Sequence, residues 1–310
     1  MKIVFMGTPA AAVASLERLV ADGHDVVAVY TQPDRPAGRG QHLTVSPIKE
    51  AAMRHGLEVR QPERIKTDEE IEAFRSLMAD CAVVVAYGRI LPQAMLEAFP
   101  RGAINLHFSL LPKYRGAAPV NWAIANGETV TGVTTMKMDA GLDTGDILLQ
   151  EPLEISDRDT APQLLERSAV IGGELLSRTL NELDDIVPRR QNDDVASYAP
   201  ILRKADGLIN WSSDASEIER KIRGFKPFPG SFTMFRGKRL VIHDAEAERG
   251  EAGIDEPGTI IEAGRNGISV RCGNGSVLKI TELQAEGKKR QSASEFANGA
   301  RVTAEEVFGS

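Results

Sequence analysis

Residues 82–87 read Ala-Val-Val-Val-Ala-Tyr, an apolar run with no polar residue in it. A strand wetted on one side alternates apolar and polar residues. One without alternation is buried on both faces, as in the middle of a parallel sheet covered by helices. The start of the chain agrees. Lys2–Met6 is a short apolar strand, Gly7-Thr8-Pro9 a turn, and Ala11–Val20 has helical spacing that ends at Gly23. Pro9 suits the first turn of that helix, and glycine suits its end. His24–Tyr30 is a second strand. This is a βαβ unit, which implies a parallel sheet with a right-handed crossover. Helical spacing recurs near Ile48–His55, Asp68–Met78, Ala117–Ala125 and Thr160–Leu183. Strands are expected over Ala82–Tyr87, Ala103–Leu106, Val130–Met138 and Ile147–Leu153.

Two stretches break this pattern. Thr31–Pro47 is long, rich in glycine and proline, and reads as an irregular loop; loops of that length are usually functional. Asp184–Ala205 is polar, holds two prolines and has no clean periodicity, so it reads as a linker. Beyond it Ser213–Gly224 has the pattern of an amphipathic helix. Five short β-like runs follow between 230 and 283, separated by glycine-rich turns, which suggests a small barrel or sandwich. The last residues, 304–310, are expected to fray.

At 310 residues, with 42% hydrophobic and 26% charged residues, the chain has the make-up of a soluble protein of one large or two smaller domains. No signal-peptide pattern opens it, and no apolar run approaches the roughly 18 residues of a membrane span. Two cysteines without motif spacing fit a reducing, cytoplasmic compartment. The turn after the first strand lacks G-x-G-x-x-G, which disfavours a nicotinamide cofactor, and there is no Walker A sequence. The net charge of −7 argues against general nucleic-acid binding. Yet from Arg203 to Arg239 nine basic residues stand against four acidic ones, a local excess that can bind an anion.

The chemistry centres on Asn105 and His107. Residues two apart in a strand project to the same side, so an amide and an imidazole stand together at a strand end. Such a pair can donate hydrogen bonds to a carbonyl oxygen as it gains charge. The turn Gly141-Leu142-Asp143-Thr144-Gly145-Asp146 can hold a carboxylate in a fixed pose. Three arrangements use these groups. A metal could be held by His107, Asp143 and Asp146, although no second histidine at ligand spacing supports it. A hydrolase could use Ser109, His107 and Asp143, although there is no G-x-S-x-G elbow. Acyl transfer without a protein nucleophile would use Asn105 and His107 as donors, with Asp143 paired to His107. Taken singly, each residue also has a plain structural role, as a turn cap, a satisfied core histidine or an Asx-turn residue.

The segments N-L-H-F-S-L-L-P-K-Y-R-G and G-L-D-T-G-D together resemble the 10-formyltetrahydrofolate-dependent formyltransferase family, and T-Q-P-D-R-P-A-G-R-G and the second domain extend the resemblance over essentially the whole chain. It implies a Rossmann-like α/β catalytic domain over 1–188, a linker over 189–205, and a smaller C-terminal β-barrel of OB-like topology over 206–310 that binds tRNA. It implies Asn105, His107 and Asp143 as catalytic residues. Ser109, Leu110, Leu111 and Pro112, with Tyr87, Gly88, Ile90 and Leu91, would contact the folate. The formyl donor would be 10-formyltetrahydrofolate, with no metal, and the acceptor initiator methionyl-tRNA, used to start translation. Arg39 at the loop tip would contact the tRNA; glycine on either side lets the backbone approach closely. No membrane partner is implied, and a monomer is expected. Relatives that formylate a small amine, a nucleotide or an amino sugar, or that pass the formyl group to water, share the N-x-H…D set. A non-catalytic RNA- or folate-binding protein would not need it.

Overall fold

The computed structural model of the chain describes residues 1–37, 42–248 and 255–309. It divides into two units, one made of Met1–Pro119, Val130–Glu154 and Leu165–Ala199, the other of Val120–Thr129, Ile155–Leu164 and Pro200–Ser310.

In the first unit the strands are β1 (Lys2–Gly7), β2 (Asp25–Tyr30), β3 (Arg35–Ala37), β4 (His42–Thr44), β5 (Val59–Arg60), β6 (Cys81–Val85), β7 (Ala103–His107), β8 (Arg115–Gly116), β9 (Val130–Lys137), β10 (Ile147–Glu154) and β11 (Tyr198–Ala199). The helices are α1 (Val13–Ala21), α2 (Pro47–Arg54), α3 (Asp68–Arg75), α4 (Gln93–Leu96), α5 (Pro119–Ala125) and α6 (Ala161–Asn181), the last two only partly in this unit. Seven strands form one sheet in the order β10-β9-β7-β6-β1-β2-β5. From β7 to β5 the pairs are parallel; β9 and β10 pair antiparallel at the other edge. As its unbroken apolar run requires, β6 is buried at every position, and so is β7. The result is the Rossmann-like, mostly parallel sheet expected from the sequence.

One face of this sheet presents Val4, Met6, Ala28, Tyr30, Ala82 and Val84 to Phe74 of α3 and Met95 of α4. Tyr30 meets Phe74 edge-on with ring centres 5.3 Å apart. Two adjacent glycines let α6 lie close to its neighbours. A methyl group at Gly172 would stand 2.8 Å from Leu106 Cδ2, and one at Gly173 3.1 Å from the Ala14 carbonyl. A helix-interior glycine costs about 1 kcal/mol against alanine, so close approach is the reason for the pair.

The structure departs from the sequence reading in three places. Within the stretch 31–47, β3 and β4 form a small antiparallel pair, too short to leave a pattern. Its base is tied down by Asp34, which accepts from Lys49 Nζ at 2.5 Å and from Gln61 Nε2 at 2.8 Å. Residues 189–199, polar and aperiodic, are hydrogen-bonded into the first unit: Arg189 and Ile147 exchange two backbone bonds of 2.8 Å, and β11 pairs with β8. The third difference is the tail of the second unit.

The second unit adds α7 (Ala215–Gly224), α8 (Ala293–Ala300) and strands β12 (Ser231–Phe235), β13 (Lys238–Glu248), β14 (Ile260–Gly264), β15 (Gly267–Arg271), β16 (Val277–Ala285) and β17 (Gln291–Ser292). They form an antiparallel sheet in the order β12-β13-β16-β15-β14, with β17 on β16. Ala215, Ile218 and Ile222 of α7 join its core. The tail does not fray. Ile260 and the 305–306 segment exchange backbone bonds, Phe308 N–H donates to Gly258, and Gly309 N–H donates to Met234 on β12. The strap thus links β14 and β12, the two edge strands of the antiparallel sheet. Phe308, 2% exposed, stacks on Trp211 and meets Phe235 edge-on. A short polar tail hides this in the sequence, because its one aromatic anchor has no periodic partner.

Two outcomes are expected. Phe308→Ala should lower the stability of the second unit by about 3 kcal/mol in denaturant unfolding; an unchanged midpoint would show that the strap holds nothing. Burial pushes the Cys81 and Cys272 thiols up to about 12, so neither should be alkylated at pH 8 until the chain is unfolded.

Candidate active site

The strand β7 ends in the polar pair. Asn105 lies opposite Met136 and His107 opposite Thr134 on β9, and both side chains are almost wholly buried, at 8% and 6% exposure. Among the described residues the Asn105 amide has no hydrogen-bond partner, so its donors are uncommitted. His107 Nε2 lies 2.9 Å from the Tyr114 carbonyl oxygen. A carbonyl only accepts, so Nε2 carries a hydrogen. That leaves Nδ1 as the ring position that can serve a reacting atom.

Asp143 sits in the turn between β9 and β10. Its φ of +54° is in the left-handed region, uncommon for a residue with a side chain. The turn is packed to the limit. A methyl group at Gly145 would stand 1.7 Å from the Lys137 carbonyl oxygen, and one at Gly141 1.9 Å from Thr144 Oγ1. Asp139 ties the turn from within, accepting from Gly141 N–H at 3.0 Å and Thr144 Oγ1 at 2.7 Å. Asp143 Oδ2 accepts from Gly116 N–H at 2.8 Å and lies 3.7 Å from His107 Nδ1. That last distance is too long for a direct hydrogen bond. The bond that orients the imidazole comes instead from the Tyr114 carbonyl, a main-chain group that sequence reading cannot single out.

The segment Ser109–Pro112 follows β7 directly. Ser109 is fully buried and its hydroxyl donates to the Lys113 carbonyl at 2.6 Å. It is therefore committed to its own turn and is not set up as a nucleophile for His107, which removes the hydrolase arrangement. Thr134 accepts from Leu111 N–H at 3.2 Å and donates to the Ser109 carbonyl at 2.6 Å, while Gln150 Nε2 bonds the Leu111 carbonyl at 3.0 Å. Leu111 packs with Met136 and Ile147; Leu110 and Pro112 are half-buried.

The neighbouring strand β6 leads into Tyr87–Leu91. The Tyr87 carbonyl accepts from Thr8 Oγ1 at 3.1 Å and Gln32 Nε2 at 3.0 Å. Arg89 ties the loop to Gln32 and to the Pro62 and Glu63 carbonyls. Gly88 has φ +82°, Leu91 is buried, and Ile90 is 76% exposed, a large apolar side chain held out on a braced loop. The Tyr87 ring lies in the core, and its hydroxyl, pushed up to about 12 by burial, stays neutral. Any contact from Tyr87 to a ligand is thus through its main chain. The Thr8–Tyr87 bond joins the carboxyl ends of β1 and β6. The chain runs from β1 outward to β2 and β5, and from β6 the other way to β7. This is the topological switch point, where open α/β sheets bind ligands.

Among the described residues no group of three His, Cys, Asp or Glu side chains is placed to hold a metal ion, and no helix is long and apolar enough to cross a membrane. Arg39 lies outside the described residues. In the basic segment of the second unit, several cations are paired: Arg223 with Glu219, Lys226 with Asp244, and Arg236 with Glu306. Lys204 and Lys238 are exposed, with no ion pair among the described residues.

Switch-point loops beside a buried amide and imidazole define an α/β group-transfer enzyme. Comparison with known proteins gives the group. Residues 1–180 match the formyl transferase family and residues 201–301 the formyl transferase C-terminal domain. The chain is 51% identical over 312 residues to the methionyl-tRNA formyltransferase of Koribacter versatilis, covering 100% of this chain and 99% of that protein. It is 47% identical over 304 residues to that of Geobacter metallireducens, covering 97% and 96%. Among solved structures, an N-formyltransferase from Helicobacter canadensis in complex with folinic acid and dTDP-3-aminofucose superposes with a TM-score of 0.66 at 22% identity, over 92% of this chain and 99% of that one. The chain belongs to the formyl transferase family.

Gly145→Ala must displace the Asp143 turn. A shift of this kind near a reacting centre costs about 10²-fold in turnover, and formyl transfer should fall by that order with the far-ultraviolet circular dichroism spectrum unchanged. Normal turnover would show that the turn need not be fixed.

Proposed function

We propose that the chain transfers the formyl group of 10-formyltetrahydrofolate to the α-amino group of initiator methionyl-tRNA, giving N-formylmethionyl-tRNA for translation initiation in the cytoplasm. The observation that carries this is the convergence of Asn105, His107 and Asp143 at the end of β7, in a chain similar over its whole length to methionyl-tRNA formyltransferases. Residues 1–199 are assigned the chemistry, 200–205 the connection and 206–310 the tRNA contacts, with the chain acting as a monomer.

The methionyl amine attacks the formyl carbon, and the carbonyl oxygen becomes an oxyanion. Asn105 donates to it from its uncommitted amide. His107, with a hydrogen on each ring nitrogen, gives one to the Tyr114 carbonyl and the other, from Nδ1, to the oxyanion; the Asp143 carboxylate beside it balances the positive ring, in a site with little water to compete. As the tetrahedral carbon collapses, its bond to N10 of the folate breaks and the formyl group stays on the amine. The proton lost by the amine goes to N10, with the Asp143 carboxylate beside His107 assisting through water. Ser109–Pro112 and the main chain of Tyr87, Gly88 and Leu91, with the exposed Ile90 side chain, hold the folate. Two observations support this: both loops are hydrogen-bonded in place, and they follow the adjacent strands β6 and β7 on one side of the switch point. Arg39 contacts the acceptor end of the tRNA, and exposed lysines such as Lys204 and Lys238 add contacts to phosphates, which carry affinity but little sequence information.

Formylation of methionyl-tRNA by the purified chain with 10-formyltetrahydrofolate tests the reading. Formylation of an amino-sugar nucleotide alone, or release of formate to water, would overturn it. Asn105→Ala and His107→Ala should each reduce turnover about 10²- to 10³-fold while folate binding survives; near-normal turnover in both would remove the oxyanion assignment. Arg39→Ala should raise the KM for tRNA and leave folate binding unchanged, and an unchanged KM would take Arg39 out of the site.

A further inference from the structure

Gln191 lies in the aperiodic stretch after α6, yet it is only 6% exposed, and Arg115 beside it only 2%. Each hydrogen-bonding position of the Gln191 side chain is accounted for. Its Nε2 donates to the Asp143 carbonyl at 2.8 Å and to the Gly145 carbonyl at 2.7 Å. Its Oε1 accepts from Arg115 Nε at 3.0 Å and Nη2 at 2.8 Å. Arg115 Nη2 also reaches Asp193 at 2.8 Å. The amide can face only one way. A guanidinium has nothing but donors and two carbonyls nothing but acceptors, so oxygen must face Arg115 and nitrogen must face the turn.

Asp143 is therefore held at both ends by one dipeptide. Gly116 N–H takes its carboxylate, and Arg115, acting through Gln191, takes its main chain. A residue in the left-handed region stays there only when its surroundings over-determine it, and these five bonds do so.

We infer that Gln191 is a positioning residue for formyl transfer: clamped by Arg115, it fixes the 143–145 main chain and so sets where the Asp143 carboxylate stands beside His107. The inference rests on the proposed role of Asp143. It assigns Gln191 no contact with substrate. Loss of the clamp should thus appear in turnover and not in the binding of either substrate.

Gln191→Glu separates positioning from packing. The carboxylate keeps the volume and still accepts from Arg115, so the buried guanidinium remains satisfied. It has no hydrogen for the two carbonyls, which would then face like partial charge at under 3 Å. Expected in steady-state formylation of methionyl-tRNA is a kcat lower by about 30- to 100-fold, the size of effect seen when reacting groups are misplaced by about an ångström. Both KM values should stay within about threefold, and tetrahydrofolate binding should match the native chain. Gln191→Met, neutral and similar in volume but without donors, should behave alike. A kcat within about twofold of native in both variants overturns the inference. So does loss of folding, or of folate and tRNA binding together with turnover, since that would assign the network to stability alone. A crystal structure of Q191E with the 143–145 turn unmoved overturns it whatever the substrate proves to be. Failure of the native chain to formylate methionyl-tRNA would instead strike the functional reading.

Discussion

A buried imidazole must place its hydrogens somewhere, and at the end of β7 the Tyr114 carbonyl takes one of them. Much of the site is built to keep that acceptor still. Tyr114 has φ +60°, a conformation costly for a bulky side chain. Its N–H is held by Ser197 Oγ at 2.9 Å and the next N–H by the Ser197 carbonyl at 2.9 Å. Gly116, with φ +117°, lies so close to β11 that a methyl group would stand 2.7 Å from the Ala199 carbonyl oxygen. The tripeptide Tyr114–Gly116 thus orients His107 with one carbonyl and Asp143 with one N–H. The imidazole and the carboxylate share a single mount, and their separation is a property of that mount, not of either side chain.

The sequence shows the sheet and the candidate site residues more readily than it shows what holds them. An unbroken apolar run announces β6, because burial on both faces leaves no room for a polar residue. Spacing of two on a strand announces Asn105 and His107 as neighbours. The Tyr114 carbonyl is invisible, since main-chain acceptors occur at every position and only the fold selects one. Gln191 and Ser197 are invisible for another reason: each is a lone polar residue in a non-repeating stretch, and its partners lie tens of residues away. The same holds for β3 and β4, which are too short to show a period.

Charge follows a similar logic. The basic excess between Arg203 and Arg239 suggests one surface, but the structure divides its members by role. Arg223 and Arg236 spend their charge on Glu219 and Glu306 inside the second unit, while Lys204 and Lys238 stay in solvent. A count of cations therefore overstates what is free to meet a phosphate.

The strap across the second unit has a consequence for how that unit opens. An antiparallel sheet ordinarily frays from its edges, where amides exchange with solvent through small local fluctuations. Here the edge amide of Ile260 is covered by Glu306 and the Met234 carbonyl on the opposite edge is taken by Gly309. Arg236 pins the strap through a bidentate pair with Glu306 and a bond to the Ala300 carbonyl. While the strap is seated, Ile260 on one edge and Met234 on the other are held together, and lifting it frees both; elsewhere on β12 the Phe232 carbonyl stays covered by Ile209 N–H. At these positions independent fraying is replaced by a joint event, in which Ile260 and Met234 lose their cover in one step.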